Sequence, residues 1–199
     1  MRTRNTIALG IVLLFGTAAF GQDYQKAEIG LDYSYTRFNP ENSNWTNGGF
    51  SLNGGGGDIA YFFTKNFGIK GEFQGAISQT RKVPISAPPC FLPSCPASFQ
   101  ASLFTYNAIV VYKARMEKFE PYAEVGFGGA HSNAYLNGTP GNNAFDFVIG
   151  GGIDIPVSEH VAIRAGEFDF LLTRFGNRFT SGNQNQSNFR YQAGVIFRF

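Results

Sequence analysis

The last thirteen residues of the chain alternate between apolar and mostly polar side chains. The first set is aromatic or aliphatic and comprises Phe189, Tyr191, Ala193, Val195, Phe197 and Phe199. The second set is mostly polar or small and comprises Asn188, Arg190, Gln192, Gly194, Ile196 and Arg198. Because successive side chains of a β-strand point to opposite faces, this segment predicts a strand with one apolar and one polar face.

The same alternation recurs along the chain and predicts eight strands, at residues 26–38, 49–63, 67–78, 99–113, 119–131, 144–156, 161–172 and 187–199. The connections alternate in length. Residues 64–66, 114–118 and 157–160 are short, whereas residues 39–48, 79–98, 132–143 and 173–186 are longer and rich in Asn, Gly, Pro and Ser. Short turns at one end and long loops at the other are typical of membrane barrels, whose long loops lie outside the cell.

The composition indicates which face points outward. The chain contains 22 Phe and 25 Gly residues. The interior of an eight-stranded barrel is just wide enough for side chains to fill it, so aromatic residues from every strand would overcrowd it. An aromatic exterior is instead suited to lipid. We therefore expect an all-β fold, a transmembrane antiparallel up-and-down β-barrel of eight strands, rather than a soluble barrel.

Two segments depart from simple alternation. In residues 49–63, Leu52 has the opposite parity to Ile59, and a β-bulge or glycine kink between them would restore the face. In residues 161–172, the pattern leaves open whether Arg164, or the pair Glu167 and Asp169, points inward.

The polar faces of the strands predict a charged interior made of Glu28, Asp32, Lys70, Glu72, Glu124, Asp146, Asp154, Arg190 and Arg198. One interpretation is a salt-bridge network that fills a narrow barrel, since buried charges persist when they are paired. The other is the selectivity lining of a narrow ion-conducting channel. The mixed signs and the small barrel favour the network.

The N-terminus has the features of a cleaved secretory signal peptide. Arg2 and Arg4 precede the apolar stretch 7–15, and the sequence Ala19-Phe20-Gly21 follows with small residues at its first and third positions. We expect residues 1–21 to be removed and residues 22–199 to form one barrel domain. The remaining chain has 14 basic and 14 acidic residues, a balance that argues against a nucleic-acid partner.

The glycine-rich strands, the segment 120–128 (EPYAEVGFG) and the ending 191–199 (YQAGVIFRF) resemble the OmpA-like family of eight-stranded outer-membrane barrels. The resemblance implies residence in the outer membrane, contact with its lipid and lipopolysaccharide, and insertion by the barrel-assembly machinery. Tyr191, Val195, Phe197 and Phe199 match the family's C-terminal assembly signal. We expect the barrel alone, as a monomer, without the periplasmic peptidoglycan-binding domain of larger members.

Cys90 and Cys95 lie in a Pro-rich stretch of the longest loop. A pair of cysteines in an exported chain predicts a disulfide. A metal site is the alternative, but no His or further Cys lies nearby in the sequence to complete a tetrahedral set. We expect no metal and no cofactor.

One sequence feature raises the question of catalysis, because some eight-stranded outer-membrane barrels modify lipid A with a Ser and a His. His131 and Ser132 are adjacent, and adjacent residues of a strand point to opposite faces, which separates a base from its nucleophile. We therefore expect a structural protein with surface interactions through its loops, and not an enzyme. A narrow channel and a lipid A-modifying enzyme are the alternatives.

Overall fold

The computed structural model describes residues 24–38, 50–79, 81–85, 95–135, 142–175 and 184–199. These residues form nine strands: β1 Ala27–Phe38, β2 Phe50–Phe62, β3 Phe67–Ser78, β4 Arg81–Ile85, β5 Cys95–Lys113, β6 Glu120–Tyr135, β7 Asn142–Pro156, β8 Val161–Phe175 and β9 Gln184–Arg198. Within the described residues, no helix is long and apolar enough to cross a membrane.

Eight of the strands form a closed antiparallel barrel. Each pairs with its neighbours in chain order, β1 pairs with β9, and β3 pairs with β5 to complete the ring. The predicted fold class is therefore confirmed. The ninth strand, β4, pairs only with the first residues of β5 and lies in a segment that the sequence analysis assigned to a loop. It has five residues, one of them Pro84, and no alternation that could identify it.

The short connections define one end of the barrel, here called the turn end, which contains residues 63–66, 114–119 and 157–160. The opposite end is called the loop end. At the turn end the C-terminus closes the seam between β1 and β9. The backbone N–H of Phe199 donates to the Ala27 carbonyl at 2.8 Å, and the N–H of Lys26 donates to the Phe199 carbonyl at 2.8 Å.

The apolar faces point outward, as β3 illustrates. Ile69, Phe73 and Ile77 each expose more than half of their surface, whereas Lys70 and Glu72 between them are buried in the interior. The same arrangement holds on β9, where Phe189, Val195 and Phe197 face outward.

The bulge expected in β2 is absent. The pairing of β2 with β1 runs without interruption from Phe50 to Tyr61, so Leu52 points inward and is 1% exposed. Leu52 packs there with Ala76, Ala101, Leu103, Ala130 and Ala144. The interior is thus not uniformly polar, because this apolar layer occupies its loop end.

A β-bulge does occur in β8. Arg164 pairs with Gly194, and Glu167, three residues later, pairs with Gln192, only two residues earlier. The extra residue shifts the alternation by one position, and Arg164, Glu167 and Asp169 all point inward. The two alternatives left open by the sequence are therefore both realised.

Candidate functional site

The charged interior of the barrel is the candidate functional site. The nine charged residues assigned to it from the alternation lie there, each at most 7% exposed: Glu28, Asp32, Lys70, Glu72, Glu124, Asp146, Asp154, Arg190 and Arg198. Six further charged side chains are also buried: Asp58, Lys113, Glu120, Arg164, Glu167 and Asp169.

The sequence contained a signal for some of these six residues. Asp58 precedes the outward-facing Ile59, so its parity alone places it inside. Lys113 and Glu120 were missed because they lie at strand ends next to a turn, where alternation is short. Arg164 and Glu167 depended on a bulge, which no periodicity reveals.

Some of the ion pairs cross the lumen, in addition to those that link neighbouring strands. Lys70 on β3 and Glu167 on β8 lie four strands apart in either direction around the ring. The Lys70 Nζ nevertheless lies 3.2 Å from Glu167 Oε1, and 2.7 Å from Glu124 Oε2 on β6. One ammonium group therefore joins three sides of the barrel.

Arg164 is a second centre of the network. Its Nη1 donates to Asp58 Oδ2 at 2.7 Å and to Asp32 Oδ2 at 2.9 Å. Its Nε lies 3.3 Å from Glu167 Oε2, and the Tyr122 hydroxyl donates to the same carboxylate. The bulge in β8 makes this geometry possible. Arg164 and Glu167 are three residues apart and would face opposite sides of a regular strand, but the extra residue turns both toward the interior.

Arg190 forms the next layer toward the loop end. Its Nη2 donates to Glu72 Oε1 at 2.6 Å and to Asp169 Oδ2 at 2.8 Å. The Gln192 Nε2 lies 2.8–3.0 Å from oxygens of Glu72, Asp169 and Glu167. The layer spans the lumen from β3 to β8 and β9.

Two further centres close the turn end. The Lys113 Nζ donates to Glu28 Oε2 at 2.5 Å and to Asp154 Oδ2 at 2.7 Å, and Arg198 Nη2 donates to Glu120 Oε2 at 2.5 Å.

Arg115, from the turn after β5, covers these ion pairs. Its guanidinium lies 4.6 Å from the Phe62 ring centroid, and its Nη2 donates to Glu28 Oε1 at 3.1 Å and to the Gln25 carbonyl at 3.2 Å.

The described interior carries a formal excess of negative charge. Its ten carboxylates face six cationic side chains when Arg115 is included. With all of these groups ionised, such a lumen would attract cations and repel anions.

Four of the carboxylates could hold a metal ion by distance alone. Oxygens of Glu72, Glu124, Glu167 and Asp169 all lie within 4.8 Å of one another. The Lys70 ammonium lies among them and contacts Glu124 and Glu167 as described, with Glu72 Oε2 at 3.8 Å. Four clustered carboxylates need positive charge to offset their repulsion, and the Lys70 ammonium supplies it here.

Two small cavities lie among the described residues of the interior. A cavity of about 10 Å³ in the loop half is lined by residues that include Ser34, Thr36, Leu103, Leu171 and Arg190. Another of about 10 Å³ in the turn half is lined by residues that include Glu28, Asp58, Lys113, Tyr122 and Arg164. Each has room for about one water molecule.

The other predicted residues have the following positions. Of the proposed assembly signal, Val195, Phe197 and Phe199 are exposed on the outer face, and Tyr191 lies half-buried on that face beside the Phe168 ring. Cys90 lies outside the described residues. Cys95 begins β5, but its side chain is outside the described part, so the disulfide stays a prediction.

His131 and Ser132 do not form a catalytic pair. Strand β6 continues to Tyr135, so the two residues point to opposite faces. His131 Nδ1 is 2.6 Å from Oδ1 of Asn143, its cross-strand partner on the outer face.

The fold is similar to solved outer-membrane barrels. Neisserial surface protein A has a TM-score of 0.60 at 12% identity, over 87% of this chain and 97% of that one. Ail of Yersinia pestis, solved with the heparin analogue sucrose octasulfate, has a TM-score of 0.56 at 13% identity, over 88% and 99%. The N-terminal β-barrel domain of Pseudomonas aeruginosa OprF has a TM-score of 0.51 at 15% identity, over 88% and 99%. No curated protein matches the sequence.

The sequence itself matches the family described as outer membrane protein beta-barrel domain over residues 7–199. The match spans nearly the whole chain and agrees with the closed eight-stranded barrel and its apolar exterior. The resemblance to OmpA-like barrels is therefore confirmed, and the chain belongs to the outer membrane protein β-barrel domain family.

Proposed function

We propose that this chain is a structural protein of the outer membrane whose lumen is sealed and whose loop end interacts with other molecules at the cell surface. In this proposal residues 1–21 are a cleaved signal peptide, the assembly machinery inserts the barrel, and the barrel works as a monomer. It needs no cofactor or metal and contacts outer-membrane lipid and lipopolysaccharide.

One observation carries the sealed lumen. The layer of Arg190, Glu72, Asp169 and Gln192 joins side chains from opposite walls, and cavities the size of single water molecules lie in the two halves of the barrel. A hydrated ion needs a continuous path, and buried ion pairs of this kind hold their partners in place. The apolar layer around Leu52 narrows the loop end further.

Single-channel recording in planar bilayers tests this proposal. We expect wild-type protein to give no stable open state. A steady conductance from the folded wild-type barrel would contradict the sealed lumen and support the narrow channel, which the charge excess predicts to be cation-selective.

The proposal that the chain is not an enzyme rests on His131 and Ser132, which face opposite sides of β6. Mass spectrometry of lipid A from cells with and without the protein tests it. We expect identical lipid A, and a change in acyl-chain number that depends on His131 would support the enzyme instead.

The surface role rests on the position of the long connections at one end of the barrel. Ail was solved with a heparin analogue, but an identity of 13% supports a common fold and not a common ligand. The surface role of this chain is therefore proposed from the position of its long connections alone, and the ligand of Ail is not transferred to it.

A further inference from the structure

The outward-facing side chains that the structure describes on the barrel wall carry very little charge. Among the outward-facing strand residues whose side chains the structure describes, the charged ones are Arg37 on β1 and Arg174 on β8. Both are arginines, and both lie at the loop end of their strands. The turn end differs, because Lys65 and Lys118 lie on its turns together with Glu117 and Glu159.

The two arginines flank one strand. Arg37 pairs with Phe189 of β9, and Arg174 pairs with Asn185 of the same strand. From the usual spacing of strands and residues, their Cα atoms lie about 16 Å apart. The reach of both side chains thus covers a patch of wall centred on the loop end of β9.

Neither arginine forms an ion pair with a described carboxylate. Arg37 Nη1 lies 3.4 Å from Ser51 Oγ, which is 2.8 Å from the Tyr35 hydroxyl. These groups form a small outward-facing set of hydrogen-bond donors around one guanidinium. In the interior, by contrast, the described arginines contact acidic side chains.

A guanidinium at the edge of a hydrocarbon layer is costly unless it reaches polar groups or an anion. The planar fork of arginine matches the oxygens of a phosphate in a bidentate arrangement. Anionic headgroups at a membrane surface attract basic side chains, by about 1 kcal/mol for each. The charge of this patch therefore complements the phosphates of the leaflet that surrounds it.

We propose that Arg37 and Arg174 form a binding site for the phosphate groups of anionic lipids in the leaflet at the loop end. Ser51 and Tyr35 complete the site around Arg37. The proposal rests on the barrel being a membrane protein and adds a defined lipid contact to it. With the loops outside the cell, this leaflet is the outer one.

Lipid retention by the folded barrel tests the site. The protein is folded into phosphatidylcholine vesicles that contain a minority of phosphatidic acid, extracted, and analysed for bound lipid by native mass spectrometry. We expect wild-type protein to be enriched in phosphatidic acid and the variant R37Q/R174Q to lose that preference, by about fivefold for each arginine. The conservative variant R37K/R174K should retain part of it.

The control variant K65Q/K118Q removes the same number of charges at the turn end and should keep the preference. An unchanged preference in R37Q/R174Q, or an equal loss in the control, would overturn the proposal. Displacement of the bound lipid by inorganic phosphate would also overturn it, because the site would then be one for free anions. Heat-modifiable migration on a gel reports folding separately, so loss of the barrel is distinguishable from loss of the lipid contact.

Discussion

The hydroxyl group of Tyr191 donates a hydrogen bond to the backbone carbonyl of Ala165, with an O···O distance of 3.2 Å. Ala165 belongs to the bulge in β8, where the regular ladder is interrupted. An unpaired carbonyl on the lipid-facing wall is costly, since hydrocarbon offers no hydrogen bond. The ring of Tyr191 also lies over Gly166, where an added Cβ would come within 3.1 Å of Tyr191 Cε2. Tyr191 therefore supplies a hydrogen bond to the bulge and packs against it from the outer face of the barrel.

We expect Tyr191→Phe to destabilise the barrel by about 1 kcal/mol, the usual value of one hydrogen bond. Tyr33→Phe is the matched control, because the Tyr33 hydroxyl is also on the outer face and donates to the Asn53 side chain at 2.6 Å, away from any bulge. Urea unfolding of protein refolded in lipid vesicles measures both effects without the assembly machinery. A carbonyl NMR shift of Ala165 that moves in Tyr33→Phe as much as in Tyr191→Phe would contradict this role.

Arg190 is expected to be the most sensitive position of the interior. Arg190→Ala leaves the carboxylates of Glu72 and Asp169 without their shared cation, and loss of one partner of a buried pair costs about 3–5 kcal/mol. Unfolding titrations in vesicles measure this loss. The second change Glu72→Gln in the same chain should restore part of the stability. If Arg190→Ala had the same unfolding titration as the wild type, the interior ion pairs would contribute little to the stability of the barrel.

Val195 tests the outward orientation of β9. It belongs to the apolar band formed by the outward-facing residues of the strands, with 38% of its surface exposed. We expect Val195→Arg to cost about 2–4 kcal/mol, as for arginine near the bilayer midplane. Val157→Arg serves as the control, because Val157 lies on a turn outside the band. We expect this variant to lose at most about 1 kcal/mol of stability. The reverse order in folding titrations would mean that the band lies elsewhere on the wall.

Variants of Phe199 can distinguish its role as an assembly signal from its role in the folded structure. Its backbone joins β1 to β9 at the turn end, so deletion of the residue removes these hydrogen bonds together with the aromatic side chain. Phe199→Ala keeps the backbone contacts and removes only the aromatic group. We expect this variant to refold normally in vesicles but to give less heat-modifiable barrel in the outer membrane of cells. Equal yields of wild type and variant in cells would remove Phe199 from the proposed assembly signal.

For Cys90 and Cys95, we expect no reaction with a thiol reagent on intact cells until a reductant is added. The ring closed by this pair is small, so its entropic contribution to stability is low for a disulfide. The double variant Cys90→Ser, Cys95→Ser should therefore retain the barrel. Thiols that react before reduction would rule out the disulfide.

Periodicity could predict the wall of this barrel, because each outward or inward position follows from its parity along a strand. It could not predict the partners in the interior. Lys70 and Glu167 are 97 residues apart and meet because the ring closes, a condition that no local pattern contains. The inward position of Leu52 was missed for a related reason, since an apolar residue can face either lipid or an apolar layer of the lumen. Arg164 required the bulge, and the short strand β4 depends on its partner across the hairpin.

The order in which the charges appear along the chain has a consequence for synthesis. Three of the four arginines that face the interior, Arg164, Arg190 and Arg198, lie on the last two strands. The strands before them contribute eight interior carboxylates and only two buried lysines, Lys70 and Lys113. A chain that stops before β8 therefore holds eight of the ten interior carboxylates but, with Arg115, only three of the six cations that face them. We therefore expect incomplete chains not to form a stable barrel, so that completion of the polypeptide is a condition for insertion into the membrane.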